Sequence, residues 1–233
     1  MNTQTAIPAR FNGPPTSGNG GYSCGLLAAH VSGCACVRLH VPPPLDTPLH
    51  IKQTGDGAAL YDGDTLVGTA AASALELAAP AAPSLTEAEA AMQRFPCYED
   101  HIFPTCFVCG PNRPAHDGLG LFPGPVAGRN VYACIWQPAP DLLDDEQNIR
   151  PEFLWAALDC PGYFAAMGDE LRPALLGELV GELHTSVAGG QPLIVYAWPL
   201  GADGRKFYAG TAVATNDGRI VASAKSTWII LKA

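Results

Sequence analysis

Apolar and polar positions run in the same order twice along this chain. Gly21–Val31 is apolar nearly all round and reads as a helix. Glu152–Met167 repeats that pattern, with Asp159 the only charge between Phe153 and Met167. A helix without a polar face must be enclosed by other structure. After each helix come short stretches with the alternation of strands. Val37–Val41, Leu49–Gln53, Ala58–Tyr61 and Thr65–Ala71 follow the first. Gly181–Ser186, Pro192–Pro199, Lys206–Thr215 and Arg219–Leu231 follow the second, and Asn130–Gln137 precedes it. Asp62-Gly63 and Asn216-Asp217-Gly218 are hairpin turns by composition, because both central residues of such turns favour positive φ. The predicted class is α+β, a curved antiparallel sheet wrapped around a long helix in each half.

The letters repeat as well as the pattern. RLHVPPPLDTPLHI (Arg38–Ile51) aligns without a gap on ELHTSVAGGQPLIV (Glu182–Val195), with Leu39/Leu183, His40/His184, Pro48/Pro192 and Leu49/Leu193 identical. A repeat this long points to a duplicated domain and not to an array of small units. Between the copies lies AAPAAP (Ala78–Pro83), then Ser84-Leu85-Thr86-Glu87, the signature of a capping box opening a short helix. The expected organisation is a first repeat over 1–77, a connector with a short helix over 78–95, and a second repeat over 96–233. Pro104–Gly128, rich in Gly and Pro, reads as an ordered loop with a short strand.

Composition narrows the partners. The chain has 233 residues, 48% of them hydrophobic, enough for a substantial core. A formal net charge of -9 and the lack of a basic run argue against nucleic acid or an anionic membrane as partner. Arg38, Arg129, Arg205 and Lys206 are the cations available to an anionic substrate. MNTQTAIPARFNGPP has no apolar core of a secretory signal, and no apolar run reaches membrane-spanning length. A cytoplasmic location is expected, and with it eight reduced cysteines.

Three groups of residues carry candidate chemistry. Asp159 shares a helix face with Trp155, Leu158 and Gly162. Burial of a carboxylate raises its pKa and suits it to act as a general base near neutral pH. The plainer reading is an Asp capping the turn before Pro161-Gly162. Asn19-Gly20-Gly21 opens the first helix. Its glycines admit a substrate to the backbone, and its free N–H groups suit an oxyanion; the plainer reading is an ordinary Asn cap. Cys106-x-x-Cys109-Gly110, near Cys97, has the spacing of half a zinc site, with His101 and His116 as possible partners. A single pair reads better as two buried thiols in a tight turn, and Cys160 as a small core residue, so no metal is expected. His40 and His184, at equivalent repeat positions, read as packing residues, and Tyr196, Trp198 and Tyr208 as core or pocket wall.

Taken in order, Asn19-Gly20-Gly21-Tyr22 with Leu26–Ala29, Pro42–Leu45, Cys106–Gly110, Trp155–Asp159 and Gly210–Ser223 resemble the hotdog-fold thioesterase superfamily. More closely, they resemble the double-hotdog acyl-CoA thioesterase II type. The resemblance implies two helix-wrapping sheets joined edge to edge, an acyl-CoA or other acyl thioester as substrate, no cofactor, and a homodimer or higher assembly. It implies one site per chain, in which the acid of one repeat faces the helix N-terminus of the other. Asp159 would then be the general base, the amides of Gly20 and Gly21 the oxyanion hole, and Asn19, Tyr22 and Trp155 substrate contacts. The thioesterase II pattern also has a hydroxyl residue on the strand after the second helix and a Gln on the last strand. The first position falls at Leu176–Glu178 and the second at Ser226, leaving Glu178 or Thr185 to substitute for the hydroxyl. A hotdog hydratase would need a His five residues after its Asp, where this chain has Phe164. The remaining alternative is an acyl-thioester binder without catalysis.

Overall fold

Strands from both halves of the chain join one antiparallel sheet in the computed structural model, which describes residues 2–232. The first half comprises β1 (Asn2–Thr5), α1 (Gly20–Ala28), β2 (Ala35–Leu39), β3 (Leu49–Thr54), β4 (Gly57–Asp62) and β5 (Thr65–Ala72). The connector carries α2 (Leu85–Met92). The second half comprises β6 (Gly124–Pro125), β7 (Tyr132–Trp136), α3 (Pro151–Ala157), α4 (Cys160–Met167), β8 (Ala174–Leu183), β9 (Leu193–Asp203), β10 (Lys206–Ala214) and β11 (Ile220–Ile230).

The strand order is β1-β3-β4-β5-β2-β8-β11-β10-β9-β7-β6. Read outward from the β2/β8 seam, the two halves have matching order, so a pseudo-twofold axis passes through that seam. The gapless alignment of Arg38 with Glu182 describes this axis. It maps the Ala35–Gly181 pairing onto Val37–Leu179 and places Cys36–Val180 at the centre. The duplicated histidines obey the same symmetry. The N–H groups of His40 and His184 donate to the Val67 and Val221 carbonyls. Their Nε2 atoms lie 3.2 Å from Thr69 Oγ1 and 2.8 Å from Ser223 Oγ. Both side chains are exposed and sit just past the ends of β2 and β8, so they are not the packing residues that the repeat suggests.

Most predicted strands lie within two or three residues of the observed ones, and the capping box of α2 is formed by Ser84 and Glu87 as its sequence predicts. Three elements differ. β1 (NTQT) is polar throughout; its pairing with β3 makes it an edge strand without any hydrophobic signal. β8 starts at Ala174, well before the expected Gly181, because Gly177 and Gly181 break its alternation. A Cβ on Gly177 would lie 2.5 Å from the Ile229 side chain, and one on Gly181 2.9 Å from the Trp155 ring. Side chains from other elements thus fill the places those glycines leave. The predicted second helix is two helices, α3 and α4, broken at Leu158-Asp159. Pro161, in the first turn of α4, lacks the N–H that would continue the ladder and clashes with a carbonyl one turn back.

One continuous core lies between the sheet and the helices and spans both halves, with Phe107, Phe153, Leu158 and Leu179 fully buried. The connector is a structural layer in its own right. Leu77, Ala79, Ala82 and α2 cover the other face of the sheet against Ile194, Tyr196, Trp198 and Ala212. Tyr196 Oη donates to the Pro80 carbonyl at 3.1 Å. Among the described residues no helix is long and apolar enough to cross a membrane.

Candidate active site

α1 and α3 pack so closely that glycine is required on α1. A Cβ on Gly21 would sit 2.5 Å from the Trp155 carbonyl oxygen and 2.6 Å from Asp159 Cβ; one on Gly25 would sit 2.7 Å from Glu152 Cα. This approach brings the break between α3 and α4 against the first turn of α1. Asn19 is the N-cap of α1: its Oδ1 accepts from the Tyr22 N–H at 2.9 Å. Its Nδ2 donates to Asp159 Oδ2 at 2.7 Å, and the Gly21 N–H donates to the same oxygen at 2.9 Å. Asp159 stands at the N-cap position of α4 but makes no cap hydrogen bond there; its side chain crosses to the other repeat. The expectation that the acid of one half faces the helix start of the other describes this geometry.

Asp159 is only 2% exposed, and its Oδ1 is buried without a partner among the described residues. Burial pushes its pKa up to about 7; the Gly21 N–H and Asn19 pull the other way, and the nearby Cys106 raises it further. Unpaired N–H groups at a helix start favour an anion there. Desolvation outweighs them here.

The third side of the site is the loop after the connector. Phe107, fully buried, packs edge-on against Phe11, and its N–H donates to the Asn12 carbonyl at 2.7 Å. The Arg113 guanidinium donates to Asn12 Oδ1, to the Arg10 and Thr105 carbonyls and to Asp117. Held this way, the loop places Cys106 and Cys109 beside Cys160, the first residue of α4. Hydrogen bonds from the Cys109 and Cys160 thiols, and from the backbone N–H groups of Cys109 and Val108, hold the Cys106 thiol well below the usual range. His101 accepts the Phe103 N–H on Nδ1 at 2.9 Å, and its Nε2 is buried without a partner. Burial lowers its pKa, which keeps the ring neutral.

These groups meet at a cavity of about 260 Å³ lined by Asn19, Gly20, His101, Cys106, Cys109, Asp159, Cys160, Phe164, Leu176 and Trp228 among others. Gly20 is the first residue of α1, and its N–H has no partner among the described residues. Of the predicted site residues, Asn19, Gly20, Gly21 and Asp159 come together. Gly21 does so in a different role, since its N–H is engaged by Asp159. Tyr22 stacks on Phe11 with ring centroids 4.4 Å apart, and Trp155 packs on Gly181; both are core residues away from the cavity wall. Glu178 pairs with Arg38 across the β2/β8 seam. Thr185 is exposed and bonds locally to the Ser186 carbonyl. Ser226 is fully buried beneath Gly162, accepts from Trp228 Nε1 at 3.0 Å and donates to the Ala209 carbonyl at 3.3 Å. It makes no bond to Asp159. The strand position expected to carry a hydroxyl presents Leu176 and Gly177 to the cavity. His101, Cys160, Phe164 and Trp228 are cavity residues that the sequence reading did not assign to the substrate path. The visible hint was the Cys-x-x-Cys loop, whose third thiol comes from a helix 51 residues after Cys109.

No family model matches the chain, and no curated protein matches it in sequence. Solved structures match it over its full length. The tesB protein of Mycobacterium avium subsp. paratuberculosis superposes with a TM-score of 0.65 at 10% identity, over 99% of this chain and 93% of that one. A protein of unknown function with a hot dog fold from Alicyclobacillus acidocaldarius gives 0.65 at 12% identity, over 100% and 94%. The acyl-CoA thioesterase II TesB2 of Mycobacterium marinum gives 0.61 at 12% identity, over 93% and 90%. With two helix-wrapping halves joined edge to edge about a pseudo-twofold axis, the chain has the double hotdog fold.

Proposed function

We propose that this protein hydrolyses acyl thioesters, with acyl-CoA as the substrate class, at one site per chain. The observation that carries this reading is Asp159: a single carboxylate with a pKa near 7, buried in the wall of a largely apolar cavity beside the start of α1. In the proposed reaction Asp159 takes a proton from water as the resulting hydroxide adds to the thioester carbonyl. The oxyanion forms at the free Gly20 N–H, while the Gly21 N–H and Asn19 hold the carboxylate in place. Collapse of the tetrahedral intermediate breaks the carbon–sulfur bond, and the Asp159 carboxylic acid returns its proton to the departing thiolate. The acyl chain occupies the apolar part of the cavity beside Phe164, Leu176 and Trp228. Proteins of similar fold, the Mycobacterium marinum TesB2 among them, carry the thioesterase name, which supports the same reaction class.

One observation favours a second reading, an acyl-thioester binder without turnover. Leu176 and Gly177 stand where a hydroxyl is expected, and Ser226 is committed to its own neighbours. Thiol release from a panel of short, long, branched and aromatic acyl-CoAs, with wild type beside Asp159→Asn, separates the two. Turnover that collapses in Asp159→Asn while calorimetric binding persists is the expected result. Binding by wild type with no thiol release from any ester would replace the hydrolase reading by the binder.

A further inference from the structure

The Sγ atoms of Cys106, Cys109 and Cys160 all lie within 4.8 Å of one another, and Cys106 and Cys160 are 3.7 Å apart. A tetrahedral zinc ion with Zn–S bonds of about 2.3 Å has sulfur–sulfur edges of about 3.8 Å, so one edge is already in place. Two of the thiols come from a Cys-x-x-Cys-Gly turn. Gly110 closes it by donating to the Cys106 carbonyl at 2.9 Å, and a Cβ there would meet the Cys106 nitrogen at 2.5 Å. The third thiol opens α4. Ordinary packing does not require three thiols to converge. Cys24 and Cys134, equally buried, belong to no such cluster.

All three cysteines line the cavity, so a fourth coordination position would open into it. Asp159 Oδ1 and His101 Nε2, two polar atoms on residues lining that cavity, are buried without a partner among the described residues. We propose that Cys106, Cys109 and Cys160 form a binding site for one thiophilic divalent cation, of which zinc is the type, with its fourth position open to the cavity. Three sulfur donors select such an ion over magnesium or calcium, which need oxygen. The sequence offered one Cys pair and two histidines as possible partners; the fold supplies the third ligand from α4. The inference rests on the sulfur geometry and stands apart from the hydrolase reading.

The test uses the full chain, reduced and stripped with chelator. Cadmium titration should release protons and produce an ultraviolet thiolate-to-metal charge-transfer band that saturates at one equivalent, and prior loading with zinc should raise the cadmium concentration needed to reach it. Cys160→Ala and Cys109→Ala should each weaken cadmium binding by about 100-fold or more, beyond the usual effect of changing an outer-shell partner. Cys134→Ala, a buried thiol outside the cluster, should bind as wild type does. Circular dichroism checks that each variant is folded. Absence of the charge-transfer band in reduced wild type would overturn the proposal. So would tight binding left intact in a folded Cys160→Ala protein. Both readouts are independent of acyl-CoA turnover.

Discussion

Replacing Asp159 by Asn should abolish turnover and make the protein more stable at alkaline pH. In the folded chain the Asp159 proton is held to about pH 7, against an ordinary value of 3.8. At about 1.4 kcal/mol per pH unit, that gap corresponds to roughly 4 kcal/mol. The group is 2% exposed, so solvent screens little of it. The sign follows from which state binds more protons. Between the two pKa values the folded state keeps the proton and the unfolded state has lost it, so stability falls as pH rises. The contribution is full below the unfolded pKa and is lost once pH passes about 7. Asn keeps an oxygen to accept from the Gly21 N–H and Asn19 but never carries the charge. Guanidinium unfolding of reduced, chelator-treated wild type and variant should therefore give equal stabilities at about pH 4. The variant should lead by up to roughly 4 kcal/mol at about pH 9, with unchanged m-values. Parallel stability curves across that range would refute the claim that Asp159 is a buried carboxylate held at the cost of folding.

Three further outcomes test the parts around it. Gly21→Ala should destabilise by about 1–3 kcal/mol in thermal or denaturant melts, because its Cβ meets the α3 backbone and not a flexible side chain. Glu178→Gln should cost less than about 1 kcal/mol and leave thiol release unchanged, since the Arg38 pair is largely solvated and off the cavity. Arg113→Ala should cost about 1.5–3 kcal/mol through its charged hydrogen bonds. The same substitution should also speed amide exchange in 104–122, measured by mass spectrometry.

Much of the architecture was legible because a duplicated sequence is read twice. Leu39/Leu183 close β2 and β8, and Leu49/Leu193 open β3 and β9, so the alignment carried the seam register with it. The acid was legible as the lone charge on an apolar helix, and its partner as a glycine-rich helix start. What stayed hidden depends on contacts between distant segments. Tyr22 and Trp155 look like pocket residues from their place beside the motifs, but Phe11 and Gly181 claim their rings. Cys160 looks like filler until the 104–122 loop is folded back by Phe107 and Arg113. Hydrophobic periodicity reports which face of an element is buried and not which element buries it.

The duplication also bears on why the proposed site occurs once where the symmetry would allow two. A site at this seam needs a bare helix start on one repeat and an acid on the other. α1 supplies the start through Asn19, Gly20 and Gly21, and the α3–α4 break supplies the acid. The start of α3 is closed to the same use. Pro151, its first residue, has no N–H, Arg150 at the cap position makes no cap bond, and Arg150 and Glu152 pair at 3.6 Å over that turn. α1 has no acid to offer in exchange; Phe11, Tyr22 and Phe153 stack between the helices. Each half therefore supplies a component that the other lacks. The break at Pro161, which costs the second helix its continuity, is what turns Asp159 out of α4 and towards Gly21. Restoring a continuous helix at that point would repair the local hydrogen bonding and return the carboxylate to its own helix, away from the first turn of α1.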